Sequence, residues 1–149
     1  ITSLLERNLY MPSLYDYRIF ISHAWKYGDD YIRLVNLLDA APYFHYFNYS
    51  APEQKPLFPS GTPYTSSDIA RKITDKIRPA QITLVISGMY AAYSDWMQYE
   101  IDESLRMRMP VIGIMPRGQE RVPLYVRDRV DVLVGWNTSS IVSAIRRYV

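Results

Sequence analysis

Trp96 and Glu100 stand four residues apart in Ser94-Asp95-Trp96-Met97-Gln98-Tyr99-Glu100. On a helix that spacing places both on one face. Spacing alone gives a plain outcome, with Trp96 packed in the core and Glu100 a solvated helix acid. Two short segments also hold chemistry-bearing residues, Ser22-His23-Ala24-Trp25 and Ser87-Gly88-Met89-Tyr90. In each, small or polar residues are followed by aromatics, a composition suited to lining a cleft. Ser22 has no evident His–acid relay, so it reads as a hydrogen-bonding wall rather than a nucleophile. His45 lies in an aromatic run and reads as structural. Ser60-Gly61-Thr62 and Thr65-Ser66-Ser67 precede a helix N-terminus, where backbone N–H groups favour an anion such as a pyrophosphate. With no cysteine there is no thiolate nucleophile or thiolate metal site. The sequence shows no clustered metal-ligand set, and neither metal nor cofactor is expected.

The elements that must position these residues follow from the hydrophobic pattern. Residues 17–22 form a short apolar, β-rich run. Tyr31, Leu34, Val35 and Leu38 recur at helical spacing and Pro42 closes that helix. Residues 43–49 read as a second strand. Ile69, Ile73 and Ile77 make one apolar stripe, ended by Pro79. Residues 81–87 read as a third strand, and Ser94 is suited to cap a helix over 95–108. Residues 110–115 and 130–135 read as strands separated by a charged loop over 116–128. Asn137 or Thr138 caps a last helix that turns Ile141, Ala144, Ile145 and Tyr148 inward. Nearly continuous apolar strands alternating with amphipathic helices predict an α/β domain, a parallel sheet covered on both faces. Right-handed crossovers favour a flavodoxin-like, three-layer fold with five mainly parallel strands in the order 2-1-3-4-5. Ligands of such sheets bind beyond the carboxyl ends of strands 1 and 3. The segments following Ser22 and Ser87, and the start of the Trp96 helix, all belong to that crevice.

Length and composition narrow the classes. A chain of 149 residues, 48% hydrophobic and 21% charged, is one ordinary globular unit. We divide it into an N-terminal extension, residues 1–16, and one domain, residues 17–149. The net charge is +2, and the basic residues fall in scattered pairs rather than a stripe. No nucleic-acid partner is expected. The apolar stretch over 81–94 is too short and too polar to span a bilayer, and residues 1–10 lack the apolar core of a signal peptide. The expected location is therefore cytoplasmic, with no membrane contact.

Three segments together resemble the Toll/interleukin-receptor (TIR) superfamily over residues 17–149. Tyr17-Arg18-Ile19-Phe20-Ile21-Ser22-His23 is similar to the opening strand of TIR domains. Ser94-Asp95-Trp96-Met97-Gln98-Tyr99-Glu100 is similar to their S-x-W-x-x-x-E box, and Gly135-Trp136-Asn137 fits the entry to their last helix. Asn48-Tyr49-Ser50-Ala51-Pro52-Glu53 resembles the bacterial TIR-like branch of the Thoeris anti-phage system. The Arg-Asp and Pro-Gly pairs of the animal-type box are absent.

The resemblance implies cleavage of NAD⁺, as substrate rather than cofactor, with Glu100 catalytic. It implies substrate contacts at Phe20, Ser22, His23, Ser94 and Trp96. The nicotinamide of NAD⁺ is already cationic and leaves neutral, so one carboxylate suffices where glycosidic bonds usually need two. The product is expected to be an ADP-ribose-type second messenger, cyclic when the acceptor belongs to the same molecule. A separate effector protein would read it. A different class remains open, a non-catalytic TIR-like module that only oligomerises. A receiver-type phosphoacceptor is disfavoured, because the ends of strands 1 and 3 carry Ser22 and Ser87 rather than aspartate. A flavin binder is disfavoured because His23-Ala24-Trp25-Lys26 lacks the small residues of a phosphate-cradling loop.

Pro52, Pro56, Pro59 and Pro63 crowd one long loop. Such loops are commonly functional, and self-association through residues 52–65 is expected. Replacing Pro59-Ser60-Gly61 with bulky charged residues should lower activity and oligomer size at low protein concentration without unfolding the domain. Unchanged activity and an unchanged elution volume would remove the loop as an assembly element.

Overall fold

Apolar strands need cover on both faces, and the alternation along the chain supplies it. The computed structural model describes residues 15–23, 28–50, 66–88, 94–118 and 121–149. The elements are β1 Asp16–Ser22, α1 Gly28–Asp39, β2 His45–Asn48, α2 Ser66–Ile77 and β3 Ile82–Ile86. They continue as α3 Ser94–Arg106, β4 Val111–Ile114, α4 Leu124–Arg127, β5 Val132–Val134 and α5 Thr138–Tyr148. The five strands form one sheet in the order β2-β1-β3-β4-β5, every pair parallel, as the pattern predicts. The loop expected to bear assembly contacts, residues 52–65, lies outside the described residues.

Side-chain alternation along β1 sorts the two faces. Ile19 and Ile21 enter the main core with Leu34 and Leu38 of α1 and Ile141 and Ile145 of α5. Phe20 points the other way, into a smaller cluster with Ile73, Ile77 and Ala80. Ser22, two residues on, shares the face of Phe20. Helix α1 packs against α5, and α2 against α3. Thr138 Oγ1 donates to the Leu37 carbonyl at 2.8 Å, tying the start of α5 to α1.

Two expectations are corrected by local chemistry. The charged loop contains a single helical turn, α4, opened by Pro123 at φ −57° and anchored by the buried Val126. One anchor in four residues leaves no periodicity to read. Strand β2 is shorter than the aromatic run suggests. Tyr43 before it adopts φ 55°, and Arg146 of α5 holds the Tyr43 carbonyl at 2.9 Å. Arg129 lies over the Tyr125 ring at 3.4 Å and 3.7 Å from Asp102, while Arg106 binds Glu103.

Helix termini explain how α3 and α5 are delimited. Asn137 caps α5, its Oδ1 accepting from Ser140 N at 2.8 Å. At the far end of α3, Arg108 N donates to Leu105 O and Met109 N to Ser104 O, both at 2.9 Å. That pair of bonds is a Schellman closure, with Arg108 left-handed at φ 60° where glycine is usual. Pro110 then prevents resumption of the helix.

A polar clasp fixes α2 against α3. Thr74 Oγ1 donates to Glu103 Oε2 at 2.5 Å, Arg106 donates to the same carboxylate, and Tyr99 OH lies 2.9 Å from Thr74 Oγ1. Arg106 is the main cause holding the Glu103 carboxyl below its ordinary range; Thr74 adds to this and burial opposes it. Glu103 therefore contributes stability above the usual carboxylate range and loses it as acid protonates the group.

The left-handed arginine generates a test. A β-carbon in that region is strained by roughly 1 kcal/mol. Arg108→Gly should raise unfolding stability by about that amount, measured by urea denaturation. A fall in stability would mean that the Arg108 side chain holds the terminus instead.

Candidate active site

Glu100 is brought to the end of β1 by the geometry of α3. Met97 and Ile101 are buried at 1% and 0% exposure and bolt that helix to the sheet. Glu100 lies beside this stripe, so it is turned to the margin of the packed surface rather than outward. Ser22 Oγ donates to Glu100 Oε1 at 2.7 Å. Ser22 itself has no exposed surface. The contact joins the carboxyl end of β1 to the helix that follows β3, at the point where strand order reverses and such sheets bind ligands.

Burial pushes the Glu100 carboxyl up to about 8, and the Ser22 hydrogen bond opposes that rise. That rise favours the protonated form of Glu100 toward neutral pH. A cation arriving nearby would favour its ionised form. Trp96, one turn earlier on α3, is 41% exposed. Spacing alone read the tryptophan as core and the glutamate as solvated; the structure reverses both. The indole is open and the carboxyl is desolvated.

The structure treats the other expected residues unequally. His23 is buried, its ring stacked on Tyr31 at 4.0 Å between centroids. Its Nδ1 sits 3.0 Å from the Ile21 carbonyl, and a carbonyl only accepts, so that nitrogen carries a proton. Burial holds the imidazole below its ordinary pKa, against that bond, so the ring is neutral at pH 7. Phe20 is 4% exposed within the α2–α3 cluster. It forms a packed floor beneath Ser22 rather than an open wall. The Ser94 side chain lies outside the described residues, as do residues 24–27 and 89–93. Ser87 is buried and donates to the Ile114 carbonyl of β4, so it serves the sheet. His45 sits on the exposed edge, 3.8 Å from Asp16.

Sequence reasoning missed Ser50 and the Thr83–Ser104 pair. Ser50 Oγ accepts from Ile21 N at 2.7 Å and donates to Ile21 O at 3.3 Å, completing the β1 ladder just before Ser22. Thr83 is a hydroxyl inside the otherwise apolar run 82–86, and that interruption was the available signal; Ser104, between Glu103 and Leu105, gave none. Among the described residues no cluster of three or more His, Asp or Glu side chains could hold a metal ion, and no helix is long and apolar enough to cross a membrane.

The fold and this crevice define a flavodoxin-like α/β domain of the TIR type, with one desolvated carboxyl at its switch point. The family model for the TIR-like domain of the Thoeris protein ThsB matches residues 20–121, and the chain belongs to that family. A search of curated proteins found no match. Family membership gives the domain a role in anti-phage defence signalling.

The raised carboxyl has a consequence for folding. Above a pH of about 4.5 the unfolded chain ionises Glu100, whereas the folded domain retains the proton up to about 8. Folding then takes up a proton, so wild-type stability falls as pH rises through that window. Glu100→Gln removes the liability. Its stability advantage should be small at pH 4 and grow toward pH 8, with a ceiling of about 4 kcal/mol there. Parallel stability–pH curves for the two proteins would show that the carboxyl is solvated.

Proposed function

We propose that this domain cleaves the bond between nicotinamide and ribose in NAD⁺. The ADP-ribose unit passes to water or to an atom of the same molecule, and the cyclic product serves as a cytoplasmic second messenger for a separate effector protein. The observation that carries this reading is the part-buried Ser22–Glu100 hydrogen bond at the β1–β3 crevice. Family membership supports it, being compatible with NAD⁺-consuming activity.

The chemistry asks little of the protein beyond one ionised carboxylate. As the glycosidic bond breaks, its electron pair leaves with nicotinamide, which departs neutral. Positive charge develops on the ribose anomeric carbon and ring oxygen. Glu100, ionised when the cationic ring enters, hydrogen-bonds the ribose hydroxyls and stabilises that charge. Ser22 holds one carboxylate oxygen, leaving the other for substrate. The acceptor oxygen or nitrogen then bonds to the anomeric carbon. Hydrolysis releases one proton to solvent, and cyclisation through a substrate N–H or O–H does the same. Trp96 offers an open indole face against which the nicotinamide can stack. Assembly through residues 52–65 is the step we assign to activation.

The test compares wild type with Glu100→Gln in the activated, assembled state, incubated with NAD⁺ with and without infected-cell lysate, with products identified by mass. Loss of one electrostatic stabiliser should lower turnover at least ~10²-fold. Wild-type kcat/KM should rise with pH and level off near 8, because the ionised carboxylate is the working form. Equal turnover in the two proteins would remove Glu100 as the catalytic residue. No turnover in either, with defence signalling intact in both, would favour the interaction module.

A further inference from the structure

The sheet face that carries Ser22 also buries two hydroxyls completely. Thr83 of β3 and Ser104 of α3 are each 0% exposed, and their Oγ atoms lie 2.7 Å apart. Ser104 Oγ donates its one proton to the Glu100 carbonyl at 2.8 Å. Thr83 must therefore donate to Ser104, since each hydroxyl has a single proton. A directed chain runs from Thr83 through Ser104 to the backbone of Glu100. At a helix–sheet contact, valine and alanine would fill the same space without burying polar atoms.

The intervals on helix and sheet match. Phe20 pairs with Thr83 and Ser22 with Val85, so Ser22 lies two strand residues beyond the level of Thr83. Two residues of strand advance about 6.6 Å. Glu100 precedes Ser104 by four residues, about 6 Å along the helix. Helix α3 is thereby fastened at two points one turn apart, to Ser22 on β1 and to Thr83 on the adjacent strand β3. Apolar packing tolerates small slides and rotations of a helix; hydrogen bonds between buried hydroxyls are directional.

We propose that Thr83 and Ser104 are positioning residues for Glu100, their buried hydroxyl chain setting the height and rotation of α3 so that the carboxyl meets Ser22. The catalytic consequence rests on the function proposed above; the positional one does not. Other titrating groups stand apart from this chain. Strand β3 has no ionisable side chain. On β1, Asp16, Tyr17 and Arg18 lie at the opposite end, and Arg18 is engaged with the Pro79 carbonyl. His23 stacks on Tyr31. On α3, Asp102 accepts from Tyr125, Glu103 is held by Arg106 and Thr74, and Tyr99 lies within hydrogen-bond distance of Thr74. On α2, Arg71 pairs with Asp68 and Asp75 with Arg78 at exposed positions, and Lys72 and Lys76 complete its ionisable set.

The experiment uses the full chain with ¹³C-labelled glutamate, the Glu100 carboxyl signal being assigned by its loss in Glu100→Gln. Ser104→Ala strands the Thr83 hydroxyl and should lower the denaturation midpoint. The double variant Thr83→Val/Ser104→Ala removes both partners and should recover most of that loss. Despite its recovered stability, the double variant should shift the Glu100 titration upward, in the direction of Ser22→Ala, because the bond to Ser22 loosens. On NAD⁺ in the activated state it should lose about tenfold or more in kcat with little change in KM. A stably folded double variant with wild-type titration and wild-type kcat would overturn the proposal. If wild type turns over no NAD⁺, the functional reading fails, while an upward titration shift in the double variant still supports the positioning role and an unshifted titration overturns it.

Discussion

A carboxyl drawn out of water beside the end of a parallel strand is the constraint around which the rest of this domain is arranged. Parallel strands leave their carboxyl ends on one side, and the β1–β3 crossover opens a gap there. Glu100 reaches that gap only because α3 is bolted at Met97 and Ile101 and rotated so that its acid lies at the margin of the packed stripe. Desolvation raises the cost of ionising the group, and one hydroxyl from Ser22 partly offsets it. The arrangement opposes folding at neutral pH. It persists because the apolar face beneath it and the clasp of Thr74, Glu103 and Arg106 hold α3 independently of Glu100. Binding sites commonly carry such strain, supported from elsewhere in the fold.

Most of the architecture was legible in the sequence because a doubly covered parallel sheet writes itself as apolar runs separated by amphipathic helices. Strand order followed from that alternation and from the handedness of crossovers. What escaped was governed by single contacts. Helix α4 has one buried anchor and no period. The early turn into β2 depends on a positive φ at Tyr43 and a hydrogen bond from Arg146, about a hundred residues away in sequence. The site was legible in part. The Trp96–Glu100 spacing put both on one helix face, yet spacing could not say which of the two would be withdrawn from solvent. That depends on where Met97 and Ile101 seat the helix. The family resemblance favoured Glu100 where periodicity favoured the plainer reading, and its desolvation agrees with the resemblance.

Hydroxyls do much of the joining here. Ser50 finishes the β1 ladder, Thr138 ties α5 to α1, Thr74 joins two helices, and Thr83 with Ser104 meets α3 from below. Each is a short side chain with one proton and little rotational freedom to lose on burial. Each also sits where a helix or strand must stop at a defined position. A core built only of branched aliphatics would tolerate more alternative packings than one pinned by directional contacts.

Burial moves His23, just past the end of β1, and Glu100, beside it, toward their uncharged forms. Mobile ions screen interactions between solvent-exposed charges. In their uncharged forms these two groups add nothing to that long-range interaction. A ligand meets shape and hydrogen-bond direction there first, and formal charge only once it is seated. What these two groups offer a ligand is therefore short-ranged and little affected by ionic strength.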